Sequence, residues 1–126
     1  MTKKILLIDG DKALAGALSE KLKEGGCEVL ACFDGEEGLK TAEEEMPDAI
    51  LLDLVLPRKN GFEVLEELKK TGRLSEISII VFTNLESGED VERACSLGVK
   101  AYLIKANYSL TEVFKKVMQM LSGGGV

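Results

Sequence analysis

A handful of polar residues stand where apolar runs end. Asp9 and Asp11 follow "ILLI", Asp53 closes "AILLD", Thr83 closes "IIVFT" and Lys105 closes "AYLIK". Carboxylates gathered in one place repel one another unless a hard cation lies among them, and magnesium, which accepts a few carboxylates and keeps several waters, suits such a set. Asp53 is the unusual acid: "AILLDLVLP" surrounds it with aliphatic residues, and an ionised carboxylate in that company needs a partner. Lys105 and a metal ion would supply one. A carboxylate gripped by magnesium beside an amine and a hydroxyl is suited to accepting a phosphoryl group. The cations would neutralise charge on the phosphoryl oxygens while Thr83 hydrogen-bonds one of them, and the product would be an aspartyl phosphate.

For these residues to meet, the chain must bring several strand ends to one place. Five apolar runs read as strands: Lys4 to Asp9, Glu28 to Phe33, Ala49 to Asp53, Ser78 to Thr83, and Ala101 to Ile104. "ILLI", "AILL" and "IIVF" have no polar face, as expected of strands covered by helices on both sides. Apolar stripes at helical spacing lie between them: Leu14, Leu18 and Leu22; Leu39, Ala42 and Met46; Phe62, Leu65 and Leu68; a weaker set at Val91, Ala94 and Cys95. The clearest comes last, at Leu110, Val113, Phe114, Val117, Met118 and Leu121. "EGG" at 24–26, Pro47, "NG" at 60–61, "SG" at 87–88 and Gly98 punctuate these elements. Strand and helix alternate throughout, and parallel strands need crossover helices, so the pattern predicts an α/β fold with one open parallel sheet. Such a sheet carries its functional site outside the carboxyl ends of its strands, where strand order reverses.

The bulk composition narrows the function. With 126 residues the chain has the size of one domain, able to bury roughly two-thirds of its unfolded surface. Its formal net charge of −6 opposes attraction to a phosphate backbone, so neither DNA nor RNA is expected as a partner. The absence of His removes the commonest metal ligand and general base. Cys27, Cys32 and Cys95 form no CxxC pair and read as small core residues in a reducing compartment. The opening "MTKKILLID" is too short in apolar residues for a leader or a membrane span, which predicts a soluble, cytoplasmic protein with no membrane partner. The tail "SGGGV" cannot pack, which sets the expected domain at 1–122 and a flexible Gly-rich tail at 123–126.

The span from Lys4 to Leu121 resembles the receiver domain of bacterial two-component response regulators, of the stand-alone kind. The likeness rests on "ILLID", "DGEEGL", "PDAILLDLVLPRKNGFEVLEEL", "IIVFTN", "SLGVKAYLIK" and the terminal amphipathic helix, in that order and at that family's spacings. "LLDLVLP" followed by "NGFEVL" is its most specific part. The resemblance implies a flavodoxin-like, doubly wound sheet of strand order 2-1-3-4-5, and a phosphorelay switch that is not an enzyme beyond self-catalysed phosphoryl transfer to and from Asp53. Position by position, Asp53 becomes the phosphoacceptor, Asp9 an acid of the magnesium site and Val55 a donor of its backbone carbonyl to the metal. Thr83 becomes the hydroxyl that moves onto the phosphoryl group, Tyr102 the aromatic that reports this movement, and Lys105 the amine that contacts phosphate. Pro57, Asn60 and Gly61 match the tight turn before the third helix. The implied partners are a sensor histidine kinase or phosphotransfer protein and a downstream protein that the sequence does not identify.

Three positions depart from that family. Its second acid after the first strand, commonly a metal ligand, is Gly10 here, which predicts weaker magnesium binding, with Asp11 either capping the first helix or substituting as ligand. Asn84 replaces a small residue after Thr83, and either obstructs the phosphoryl site or changes how water reaches it. Ala106 stands where proline, with a cis peptide, is common. Gly10 is also the main support for a rival, a degenerate receiver that works as a phosphorylation-independent interaction module. A phosphohydrolase with an aspartyl intermediate is disfavoured because Val55 occupies the place of its second acid, and a flavin or dinucleotide site because "DGDKAL" lacks the required phosphate loop.

Overall fold

The computed structural model describes residues 2–123, so most of the expected 123–126 tail lies outside the described residues. Strands β1 (Lys4–Ile8), β2 (Glu28–Cys32), β3 (Ala49–Leu52), β4 (Ser78–Thr83) and β5 (Ala101–Ile104) form one parallel sheet in the order β2-β1-β3-β4-β5. They alternate with helices α1 (Lys12–Glu24), α2 (Gly35–Glu45), α3 (Gly61–Lys70), α4 (Gly88–Ser96) and α5 (Leu110–Leu121). This is the doubly wound α/β arrangement expected from the sequence.

Side chains alternate across a strand, and each face of this sheet has its own core. Leu6, Ile8, Ile50, Leu52, Ile79 and Val81 point to the side covered by α2, α3 and α4, where Ala42, Phe62, Leu65, Leu68 and Ala94 meet them. Ile5, Leu7, Leu51, Ile80, Phe82 and Leu103 point to the other side, against Leu18 and Leu22 of α1 and Val113 and Val117 of α5. The unbroken apolar runs are thus buried on both faces, each large side chain contributing about 1.5–3 kcal/mol.

Short polar side chains start the helices. Asp11, Asp34, Asn60, Ser87 and Ser109 each accept a hydrogen bond from a backbone N–H of the first turn, and Asn60 with Glu63 and Ser109 with Glu112 form reciprocal capping boxes. Asn60 and Gly61, expected in a turn, are therefore the cap and first residue of α3.

Several expectations need correcting. Met46 lies outside α2, as a left-handed cap with φ of 46°, because Pro47 follows and cannot prolong the helix. Cys95 is exposed rather than in the core, since α4 turns only Ala94 fully inward; Cys27 and Cys32 are buried as expected. Strands β1, β2 and β3 stop one residue before Asp9, Phe33 and Asp53. Two of those next residues stay tied to the ladder, the Asp9 N–H donating to the Cys32 carbonyl at 3.0 Å and the Asp53 N–H to the Ile8 carbonyl at 2.9 Å. The sheet therefore fixes the backbone of both acids and leaves their side chains beyond its edge. No helix among the described residues is long and apolar enough to cross a membrane.

Candidate functional site

Strand order reverses between β1, whose chain continues outward to β2, and β3, on its other side. The carboxyl ends of these two strands are the expected place for a site, and they deliver Asp9 and Asp53. β5 brings Lys105 to the same spot: its Nζ lies 2.9 Å from Asp9 Oδ2 and 2.9 Å from Asp53 Oδ2. Asp9 and Asp53 are 7% and 8% exposed, so one ammonium bridges two nearly buried carboxylates. The remaining oxygens are held by backbone, Asp9 Oδ1 accepting from the Asp11 N–H at 2.9 Å and Asp53 Oδ1 from the Val55 N–H at 3.2 Å. Three residues remote in sequence, Asp9, Asp53 and Lys105, are thus joined directly, and the backbones of Asp11 and Val55 tie in from two residues away.

Burial pushes the Asp9 carboxyl above the ordinary aspartate range, and the Lys105 ammonium and Asp11 N–H only partly offset it. Burial by itself would lower the Lys105 value, but hydrogen bonds to Asp9 and Asp53 outweigh it and hold the amine above its ordinary range. Lys105 is therefore a charged ammonium at neutral pH. With both acids ionised the cluster carries one net negative charge, a site that attracts a further cation.

The donor set fits magnesium only in part. Asp9 and Asp53 offer hard carboxylate oxygens with lone pairs left over, and a metal that keeps several waters can use two carboxylates and a backbone carbonyl. Among the described residues, however, no three Asp, Glu, Cys or His side chains gather to hold an ion. Asp11 does not fill the gap: it is exposed, and its Oδ1 accepts from the Leu14 N–H at 3.1 Å as the cap of α1. Gly10 does not use the left-handed freedom of glycine either, and a Cβ built on it meets only the Phe33 carbonyl oxygen and Pro57 Cδ, both at 3.7 Å. A larger side chain fits there without moving its neighbours.

Thr83 ends β4 with no exposure at all, and its Oγ1 accepts from the Leu85 N–H at 3.4 Å. Tyr102 lies beside it, paired in register with Val81, and donates its hydroxyl to the Leu85 carbonyl at 2.8 Å. Leu85 therefore links hydroxyl and phenol through its own backbone. Burial, with Asp90, Asp53 and Cys95 adding negative charge, pushes Tyr102 up to about 12. The ring is partly buried against α4, not displayed on the surface. Asn84 is exposed, and the Lys105–Ala106 peptide is trans.

Sequence reasoning missed Leu85, because a backbone relay has no side-chain signature. It also missed what Gly61 does. A Cβ there would lie 2.6 Å from the Asp53 carbonyl oxygen and 2.6 Å from Leu54 Cα, so α3 can start against the Asp53 backbone only with glycine. Val55, named for its carbonyl, carries a side chain 60% exposed, an aliphatic group at the rim of the acidic cluster.

Comparison with known proteins accounts for this arrangement. Residues 5–117 match the family model described as the response regulator receiver domain. Over 122 residues the chain is 39% identical to the transcriptional regulatory protein CiaR of Streptococcus pneumoniae, covering 97% of this chain and 53% of that protein. It is 35% identical over 121 residues to the alkaline phosphatase synthesis transcriptional regulatory protein PhoP of Bacillus subtilis, covering 96% of this chain and 49% of that one. The chain thus spans about half the length of these curated relatives. Among solved structures, a CheY-like response regulator receiver domain protein from Methanospirillum hungatei superposes with a TM-score of 0.89 at 28% identity, over 98% of this chain and 96% of that one. With a fold, a strand order and a family match over nearly its whole length in agreement, the chain belongs to the response regulator receiver domains.

Proposed function

We propose that this protein is a phosphorelay switch, residues 1–122 forming the switching unit, that takes a phosphoryl group on Asp53 in a magnesium-dependent reaction. The observation that carries the proposal is the Lys105 ammonium set 2.9 Å from an oxygen of both Asp9 and Asp53 at the sheet's switch point. An Asp53 oxygen attacks phosphorus as the bond to the donor's leaving group breaks, and an aspartyl phosphate results. Lys105 is placed to turn from carboxylate to phosphoryl oxygen, where its charge is needed. Magnesium, when bound through Asp9, Asp53 and the Val55 carbonyl, supplies further charge neutralisation. Thr83 lies two residues beyond Val81, the last residue of β4 paired with β3, and movement of its hydroxyl toward phosphate would break its contact with the Leu85 N–H and free the Tyr102 anchor. The donors are a sensor histidine kinase or phosphotransfer protein, and the signal leaves by protein contact.

A second reading, the phosphorylation-independent interaction module, is favoured by one feature, the two-carboxylate metal site left by Gly10. Incubation with acetyl phosphate and excess magnesium decides between them. The switch predicts a mass gain of one phosphoryl group in the wild type and none in Asp53→Ala, with the fold retained. An unlabelled wild type leaves the module reading; labelling that persists in Asp53→Ala moves the acceptor elsewhere.

A further inference from the structure

α4 fully buries only Ala94, yet one of its exposed residues is tied down twice. The Arg93 guanidinium lies over the Phe62 ring, 4.2 Å from its centroid, and Arg93 Nη2 donates to Glu66 Oε2 at 3.0 Å. Phe62 and Glu66 are four residues apart on α3 and share a face, so a single side chain of α4 grips both. Phe62 follows Gly61 directly. The Gly61 N–H donates to the Leu54 carbonyl at 2.9 Å, and its Cα sits so close to the Asp53 carbonyl that no side chain fits between them. Direct contacts therefore run from the outer surface of α4 through Phe62 and Gly61 to the backbone of Asp53. This route is separate from the one through Thr83, Leu85 and Tyr102.

We infer that Arg93 is a positioning residue for Asp53: it clamps the first turn of α3 onto the Asp53–Leu54 backbone and so couples the seat of α4 to the placement of the reactive carboxylate. The inference rests on Asp53 being that carboxylate. Because coupling is reciprocal, a partner that lifts Arg93 off Phe62 changes how readily Asp53 reacts, and a group added to Asp53 changes how firmly α4 is held. A stacked cation and an exposed ion pair are each modest interactions, which makes the clamp weak enough to open within a functional cycle.

The test uses the full chain as wild type, Arg93→Gln, Arg93→Lys and Glu66→Gln, with two readouts. In amide hydrogen exchange, Arg93→Gln is expected to speed exchange at Gly61 by about three- to tenfold, the size that losing one stacked cation and one exposed pair allows, with β1 and α5 unchanged. Arg93→Lys, which keeps charge without the planar fork, should recover part of the protection, and Glu66→Gln should lose less than Arg93→Gln. The affinity for magnesium and beryllofluoride, read from amide shifts, should change by a similar factor in Arg93→Gln. Gly61 exchange within twofold of wild type, or equal acceleration in every element, overturns the clamp. Accelerated Gly61 exchange in a chain whose wild type takes up no beryllofluoride supports the clamp and overturns the phosphoacceptor reading.

Discussion

Asp9 bears a cost that the fold tolerates for the sake of the site. Its value is raised by burial, so folding favours its protonated form, and its contribution to stability falls as pH rises through and above the ordinary aspartate range. An asparagine escapes that penalty and leaves Lys105 its bond to Asp53. In metal-free buffer, Asp9→Asn should exceed the wild type in stability by about 1 kcal/mol at neutral pH, with the gain vanishing in acid where Asp9 is itself protonated. Urea unfolding at the two pH values checks this, and a less stable variant at neutral pH would show that the Lys105 bridge outweighs desolvation. Gly10 gives the opposite experiment. Its surroundings leave room for a side chain, with nothing nearer than 3.7 Å to the added carbon, so Gly10→Asp should tighten magnesium binding by about tenfold, or ~1.4 kcal/mol. Isothermal titration would reveal it, and unchanged affinity would mean that water already serves as well as a third carboxylate.

At the scale of elements, the site depends on where helices begin. α3 starts with its first residue wedged against Asp53, and the atoms a Cβ would strike are backbone, which cannot swing away. Gly61→Ala should therefore cost about 1–3 kcal/mol, the usual range for overpacking, and should slow phosphorylation through the displaced Asp53. Denaturant midpoints and initial labelling rates measure the two effects; an alanine variant matching wild type in both would refute the wedge. α5 depends on its cap in the ordinary way. Ser109 and Glu112 exchange hydrogen bonds at 3.1 and 2.8 Å, and Ser109→Ala should destabilise by about 1 kcal/mol without touching phosphorylation.

Over the whole molecule, stability is unevenly distributed. β1 and β3 lie inside the sheet with apolar side chains packed above and below, whereas α4 rests on Ala94, the Arg93 clamp and a few half-buried apolar residues. Native-state hydrogen exchange should find the β1 and β3 amides opening only with global unfolding and those of α4 opening at much lower free energy. Equal protection in both would contradict a loosely held α4 and with it a clamp weak enough to open. The firm part of the molecule thus holds the acids, and α4 is the more loosely held part.

Much of this was legible in the sequence, because it follows from local periodicity. Apolar runs without a polar face pointed to strands buried on both sides, the four-residue stripes of Leu18 and Leu22 or Val113 and Val117 to amphipathic helices, and their alternation to a parallel sheet whose strand ends gather Asp9, Asp53 and Lys105. Short-range spacing could not tell whether Asp11 turned to the metal site or to its own helix, nor that Cys95 would be exposed and Met46 left-handed, since each depends on a neighbouring residue's geometry. The sharing of Lys105 between two carboxylates, the Leu85 backbone relay, the Gly61 wedge and the Arg93 stack were decided by tertiary structure alone. They join atoms of different segments, from eight positions apart at Gly61 and Asp53 to ninety-six at Lys105 and Asp9, and no pattern within one segment encodes where another segment's atoms will lie.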